Sequence, residues 1–274
     1  MPELPEVETV RRSLAPHIVG RRVMAVSAAP VKLRLGIEPG EWRSLAGVAS
    51  LRGLHRRGKY ILADFGASTA VLHLGMSGRL VLRPHAAACE KHTHLRLRFE
   101  HGIELRLVDP RRFGMAVVVA TAALPAFAPL AGLGADALDG DVEGALLAAA
   151  RRSRSPIRAL LLDQRVVAGV GNIYASEALA RAGVHPLRQA AAISSERVAR
   201  LAGAVKAVLA DALAAGGTTL ADGGFSDASG NEGYFAVKLD VYGRKGHPCR
   251  ACGSPIRRQV AGGRSVFYCA RCQR

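Results

Sequence analysis

Long apolar runs are missing from this chain. No stretch approaches the ~18 consecutive uncharged apolar residues that a bilayer-crossing helix needs, so a membrane-spanning helix is excluded. Aromatic residues are scarce at 5%, too few for a single-strand binder built from stacking platforms. Carboxylates are scarce as well: 22 Asp and Glu stand against 38 Lys and Arg, a formal charge of +16. A field of that sign draws polyanions. No basic amphipathic helix stands out, which ranks nucleic acid above an anionic membrane surface. The start, Met1-Pro2-Glu3-Leu4-Pro5-Glu6, has no basic segment followed by an apolar one, so it does not read as a secretory signal. A cytoplasmic protein with reduced thiols is expected. What is present, 49% hydrophobic and 22% charged residues over 274 positions, suits one large or two ordinary folded domains.

Cysteine is sparse but ordered. Four of the five cysteines form Cys249-x2-Cys252 and Cys269-x2-Cys272, with sixteen residues between the pairs. This is zinc-ribbon spacing: each pair sets two sulfurs on one knuckle, and the intervening segment is long enough for a β-hairpin. Four thiolates leave no open coordination position, so a single Zn2+ here is structural. Cys89 has no partner and reads as a bystander. Residues 241–274 hold no Asp or Glu but carry Arg244, Lys245, Arg250, Arg257, Arg258, Arg264, Arg271 and Arg274. A rigid basic hairpin of this kind is suited to phosphate contacts that weaken with salt.

Along the chain the hydrophobic period changes. Pro5 to Leu14 reads as a helix with Val7, Val10 and Leu14 on one buried stripe, ended by Pro16. From about residue 20 to 120 the period is two. Leu95, Leu97 and Phe99 alternate with arginines, and Ile103, Leu105 and Leu107 alternate with Glu104 and Arg106, which predicts a hairpin with one core face and one charged outer face. Further strands are expected at 22–28, 60–65, 70–74 and 115–119. Helical spacing returns from about 155 to 215, after an Ala-, Gly- and Pro-rich stretch with a small helix near 142–149. The turn Gly169-Val170-Gly171-Asn172 lacks the third glycine and the later acidic residue of a dinucleotide site, but as a helix opening it suits a phosphate.

Pro2 is the least easily explained residue. Removal of Met1 would make it a secondary amine, and α-amino groups titrate near ~8, so a useful fraction is neutral at physiological pH. Such an amine can condense with a sugar C1′, and the adjacent Glu3 can move protons. That chemistry requires an accessible chain end. By residue type alone, a disordered tail ending in a helix cap explains Pro2 and Glu3 more simply.

The ordered set of motifs decides between these accounts. Pro2-Glu3-Leu4-Pro5-Glu6-Val7-Glu8-Thr9-Val10, His73-Leu74-Gly75-Met76-Ser77-Gly78, Asp109-Pro110-Arg111-Arg112-Phe113-Gly114, residues 169–177, Gly216-Gly217-Thr218-Thr219, Val241-Tyr242-Gly243-Arg244 and the paired cysteines occur in sequence. Over essentially its whole length the chain resembles the bacterial formamidopyrimidine-DNA glycosylases. Leu4 favours this branch over the endonuclease VIII-like one, where glycine is usual.

The resemblance implies an α+β protein: an N-terminal helix and β-sandwich (1–125), a linker (126–150), a helix–two-turn–helix domain (151–240) with a lesion-covering loop (216–234), and a zinc finger (241–274). DNA would lie in the cleft between the domains. The implied activity is removal of oxidised purines from duplex DNA through a Schiff base on Pro2, followed by strand nicking. Glu3 would act as the acid, with Glu6 supporting it. Lys59 would contact the flanking phosphates; on residue type alone it reads as a surface lysine. Met76, Arg112 and Phe113 would fill the void left by the extruded base, where core packing is the plain reading of Met76 and Phe113. His73, His92 and Asn172 match phosphate-side positions, and Arg264 matches the hairpin arginine that grips the backbone. Arg158 stands where the family often has lysine, and residues 220–234 are richer in glycine and acid than usual. The expected partner is damaged double-stranded DNA, bound by a monomer at the nucleoid, with no nucleotide cofactor.

Overall fold

In the computed structural model, which describes residues 2–219, 228, 233 and 235–274, the first helix begins as the proline and acid pattern predicts. Helix α1 spans Leu4–Ile18. Glu3 is its N-cap, and the Glu6 carboxylate returns to accept the Glu3 N–H at 2.8 Å, closing a capping box. Val7, Val10 and Leu14 are buried as expected, but the helix continues through Pro16 to a buried Ile18. A proline in the last turn removes few backbone bonds. Ile18 extends the apolar stripe, and the Val19 N–H still reaches the Ala15 carbonyl at 3.1 Å.

The chain divides into two compact units, Met1–Ala131 with Ala215–Tyr234, and Gly132–Ala214 with Phe235–Arg274. In the first, α1 is followed by β1 (Val23–Ala28), α2 (Pro39–Arg43), β2 (Gly53–Arg57), β3 (Tyr60–Asp64), β4 (Ser68–His73), β5 (Arg79–Pro84), β6 (Thr93–Phe99), β7 (Ile103–Val108), β8 (Met115–Ala120) and the short α3 (Ala128–Ala131). Two four-stranded antiparallel sheets, ordered β1-β6-β7-β5 and β2-β3-β4-β8, form the sandwich. Leu54, Ile61 and Leu72 of one sheet share a core with Leu80, Leu95, Leu97, Leu105 and Leu107 of the other, together with α1 and Trp42. Strands β2 and β5 are not marked by alternation: β2 has Leu54 as its one apolar side chain, and in β5 Leu80-Val81-Leu82 is a continuous apolar run.

The predicted β6–β7 hairpin forms with Leu95 opposite Leu107 and Leu97 opposite Leu105. Its outer face differs from expectation: Arg106 is 0% exposed and Glu104 is buried. The segment 87–90 folds over them. Arg106 donates to the carbonyls of Ala87 and Ala88, to Glu90 and to Glu104, at 2.7–2.8 Å. A guanidinium can be buried when its N–H groups find acceptors.

The second unit contains a two-residue parallel pair, β9 (Ala135–Asp136) with β10 (Val167–Ala168), and helices α4 (Val142–Ala150), α5 (Ile157–Leu162), α6 (Asn172–Arg181) and α7 (Ser195–Ala214). Asp141 caps α4 by accepting the Gly144 N–H at 2.9 Å. The unit ends in the antiparallel hairpin β11 (Arg257–Ala261) and β12 (Arg264–Tyr268). Its turn residues Gly262 and Gly263 both have positive φ, the requirement of a type I′ two-residue hairpin turn. The chain leading into this hairpin is held by Glu177, which accepts the N–H groups of Asp240, Val241 and Tyr242 at 2.7–3.0 Å. Burial raises the Glu177 carboxyl above its ordinary value, opposed by these donors. Among the described residues no helix is long and apolar enough to cross a membrane.

Replacing Arg106 with Ala would strand Glu104 in the interior. We expect chemical denaturation to show a loss of roughly 3–5 kcal/mol, with Arg106→Met/Glu104→Leu recovering most of it.

Candidate functional site

The first unit carries a basic groove of about 460 Å³ lined by Lys32, Leu33, Arg34, His73, Gly75, Met76, Arg112 and Phe113. Met76 and Phe113 are 41% and 47% exposed, so core packing does not account for them. Two tight loops present them, residues 73–78 after β4 and 109–114 before β8. The loops touch through backbone: a Cβ on Gly75, whose φ is +62°, would lie 2.4 Å from the Phe113 carbonyl carbon. Arg112 takes φ 58° and His92 φ 66°, left-handed conformations that are unusual outside glycine and that concentrate at functional sites.

His73 is the groove's internal hydrogen-bonding group. Its Nδ1 accepts the Gly75 N–H at 2.9 Å, which leaves the ring proton on Nε2 as a donor. Burial, then the charges of Lys59 and Arg34, push its pKa down to about 4, so the ring is neutral at pH 7. Tyr60 packs against it at 4.8 Å between ring centroids. Lys59 is only 8% exposed, unlike an ordinary surface lysine. The turn that carries it is tied to α1: Arg56 donates to the Gly58 carbonyl at 3.1 Å and pairs with Glu8 at 3.3 Å. Burial acts to raise Glu8, but Arg11 and Arg12, each at 2.7 Å, outweigh it and hold the carboxyl below its usual value.

Pro2 and Glu3 sit at the start of α1, and both are buried in the chain that carries Met1. This differs from the exposed chain end that the Pro2 chemistry calls for. The capping box draws Glu3 inward, and Pro2 follows it. Glu6 joins this corner to the second half of the unit's chain, its Oε1 accepting the Thr218 N–H at 2.8 Å. Nearly all of the loop 220–234 lies outside the described residues. Its Ala228 is buried, with its N–H 3.2 Å from Ser13 Oγ.

In the second unit Arg158, Asn172 and the hairpin meet. Arg158 is buried and donates to Asn172 Oδ1 at 2.6 Å, while Asn172 Nδ2 donates to the Ser265 carbonyl at 3.1 Å. Ser265 adjoins the exposed Arg264 at the start of β12. Burial, then repulsion from Arg264, lowers the Arg158 pKa from its ordinary value. The four paired cysteines converge, all sulfurs within 4.8 Å of one another, with Cys252–Cys269 at 3.5 Å and Cys249–Cys272 at 3.9 Å. A tetrahedron with Zn–S bonds of ~2.3 Å has edges of about 3.8 Å, so the cluster fits one structural zinc.

Three family models match in order: the formamidopyrimidine-DNA glycosylase N-terminal domain over residues 1–116, the formamidopyrimidine-DNA glycosylase H2TH domain over 133–223, and the zinc finger found in FPG and IleRS over 246–274. The formamidopyrimidine-DNA glycosylase of Geotalea uraniireducens is 46% identical, with 100% of each chain covered. The chain belongs to the formamidopyrimidine-DNA glycosylase family. The Thiobacillus denitrificans member is 47% identical, again with 100% of each chain covered. Among solved structures, the MutM (Fpg) protein of Thermus thermophilus superposes with a TM-score of 0.88 at 39% identity, covering 99% of this chain and 98% of that one. Lactococcus lactis Fpg bound to abasic-site DNA gives 0.89 at 32% identity, covering 99% of each chain.

The groove also contains residues that sequence reasoning missed. Lys32 and Arg34 stand in a stretch with no motif, although two cations alternating across Leu33 are a detectable sign of a basic face. Arg111, rather than Arg112, lies over the Phe113 ring at 4.9 Å, a cation–π contact.

Two outcomes follow. A folded His73 pKa near 4, below the unfolded value of 6.5, gives a stability contribution that is complete above pH 6.5 and is lost as pH falls through 4. His73→Gln should therefore flatten the slope of unfolding free energy over that window relative to wild type. Chelating zinc should release the fold of residues 249–272, seen as loss of amide protection there while the β-sandwich retains its own.

Proposed function

We propose that this chain excises oxidised purines, such as 8-oxoguanine and formamidopyrimidines, from duplex DNA and cuts the strand at the resulting abasic site. The observation that carries this reading is the exposure of Met76 and Phe113 beside a cationic groove. An extruded nucleotide leaves a gap in the stack, and an apolar pair next to phosphate-binding cations suits that gap. Arg112 would bond the widowed cytosine. Lys59, His73 and His92 in one unit, and Asn172 and Arg264 in the other, would hold phosphates, with His73 donating from Nε2. Arg158, through its bond to Asn172, would set the orientation of that amide.

Loss of Met1 turns the Pro2 nitrogen from an amide into a secondary amine. Its lone pair would form a bond to C1′ as the C1′–base bond breaks; that electron pair leaves with the base, which takes up the proton released from the Pro2 nitrogen. Glu3 would protonate the sugar oxygen as the ring opens to an iminium. Loss of a C2′ proton then expels the 3′ phosphate, a second elimination expels the 5′ phosphate, and water hydrolyses the remaining iminium to release the sugar fragment and return Pro2 as the free amine. No oxidant or reductant is consumed. The zinc holds the basic hairpin and takes no part in the bond changes. Chromosomal DNA as substrate places the protein in the cytoplasm, at the nucleoid.

Borohydride should trap a covalent protein–DNA adduct with 8-oxoguanine:C duplex, and Pro2→Gly or a blocked N-terminus should reduce trapping at least tenfold. Full trapping by protein that retains Met1 would remove Pro2 as nucleophile. Equal, steeply salt-dependent binding to lesion and intact duplex without cleavage would reduce the chain to a DNA-binding module. Faster excision of thymine glycol than of 8-oxoguanine would reassign the substrate to oxidised pyrimidines.

A further inference from the structure

Asp109 is fully buried and lies behind the groove rather than in it. Its carboxylate is bonded to both groove loops. Oδ1 accepts the Ser77 hydroxyl at 2.8 Å and the Arg111 N–H at 3.3 Å, and Oδ2 accepts the Gly114 N–H at 2.8 Å. Its backbone adds a third segment: the Asp109 N–H donates to the His92 carbonyl at 3.0 Å, and the Asp109 carbonyl lies 2.9 Å from His94 Nε2. The loops bearing Met76, His92 and Arg112–Phe113 thus meet at one residue.

We infer that Asp109 is a positioning residue that couples the Met76 loop to the Phe113 loop, so that the two side chains enter the duplex as one preformed wedge. This rests on the reading above that Met76, Arg112 and Phe113 fill the void. Ser77 directly follows Met76, and Gly114 directly follows Phe113, so the carboxylate grips each loop one residue from the side chain it presents. Glycine sterics strengthen the coupling. A Cβ on Gly114 would lie 2.9 Å from the His73 carbonyl oxygen, so the two backbones are already in contact and one loop cannot shift far without the other. Exposed side chains on independent loops would have to be ordered at the moment of extrusion. Ordering them beforehand removes that cost from the flipping step.

The test uses the zinc-loaded full chain and kcat/KM on 8-oxoguanine:C duplex. Ser77→Ala should cost roughly fivefold and Asp109→Ala on the order of 100-fold. Asp109→Asn should fall between them, because the amide can accept from Gly114 N–H while donating to Ser77 Oγ. The deciding measurement is the same change made in a Met76→Ala/Phe113→Ala background. With no wedge left to position, Asp109→Asn and Ser77→Ala should each shift activity there by less than about twofold. A full, multiplicative loss in that background would mean that Asp109 acts through something other than the Met76–Phe113 wedge and would overturn the inference. So would wild-type turnover by Asp109→Asn and Ser77→Ala while Met76→Ala/Phe113→Ala is impaired. Wild-type turnover by Met76→Ala/Phe113→Ala itself would instead overturn the void-filling reading, and the coupling with it. Ser77→Ala deletes one hydroxyl and provides the same comparison should an Asp109 variant fold poorly.

Discussion

The first unit depends on what one carboxylate does at the start of its chain. Glu6 accepts the Glu3 N–H with one oxygen and the Thr218 N–H with the other. The first bond fixes the helix entry, and the second ties that entry to backbone more than 200 residues away. A chain terminus is ordinarily among the least ordered parts of a domain. Here residues 2–8 are buried instead. A terminal amine used as a nucleophile must be held within a fraction of an ångström of its target, and a frayed end could not provide that. The same locking buries Pro2 while Met1 precedes it, so the access that the amine chemistry requires is not present in this form of the chain.

Electrostatics divides the labour between fixed and exposed cations. Arg56, Lys59, Arg106 and Arg158 are all largely buried, which is costly unless their donors are matched. Arg56 and Arg106 serve as internal ties, one holding the turn before Lys59 and the other the segment 87–90. Arg264 instead stays in solvent at the end of a hairpin whose glycine turn sets its direction. Keeping His73 neutral fits this scheme. A third positive charge beside Lys59 and Arg34 would raise repulsion within the groove, whereas a neutral ring with its proton on Nε2 still offers a donor to an anion.

Much of this was legible in the residues. The α1 stripe, the β6–β7 alternation and the cysteine pairs are local patterns, and local patterns survive without knowledge of the fold. What was not legible depended on distant chain. Arg106 alternates like an outward residue and is buried only because Ala87, Ala88 and Glu90 return over it. Pro16 carries a stop signal that the packing of Ile18 overrides. Arg111 and Arg112 are adjacent and chemically identical, and which guanidinium lies over Phe113 is set by the fold of the turn, left-handed at Arg112, and not by residue type. Lys32 and Arg34 acquire meaning only from the groove that β4 and the 109–114 loop complete.

The two groove motifs also constrain each other in a way that neither shows alone. His73-Leu74-Gly75-Met76-Ser77-Gly78 and Asp109-Pro110-Arg111-Arg112-Phe113-Gly114 are separated by three strands, yet β4 pairs with β8 so that His73 faces Met115. That register brings the loop leaving β4 against the loop entering β8. Gly75 is held to glycine by the Phe113 carbonyl that occupies the space of a side chain, and its positive φ favours the same residue. Gly78 is constrained likewise, since a Cβ there would lie 2.3 Å from the Leu74 carbonyl oxygen. The glycines in these motifs therefore report backbone contact rather than flexibility. A motif rich in glycine is usually taken as a mobile loop, but here the absence of side chains is what allows two backbones to approach within contact, with Met76 and Phe113 as the exposed points.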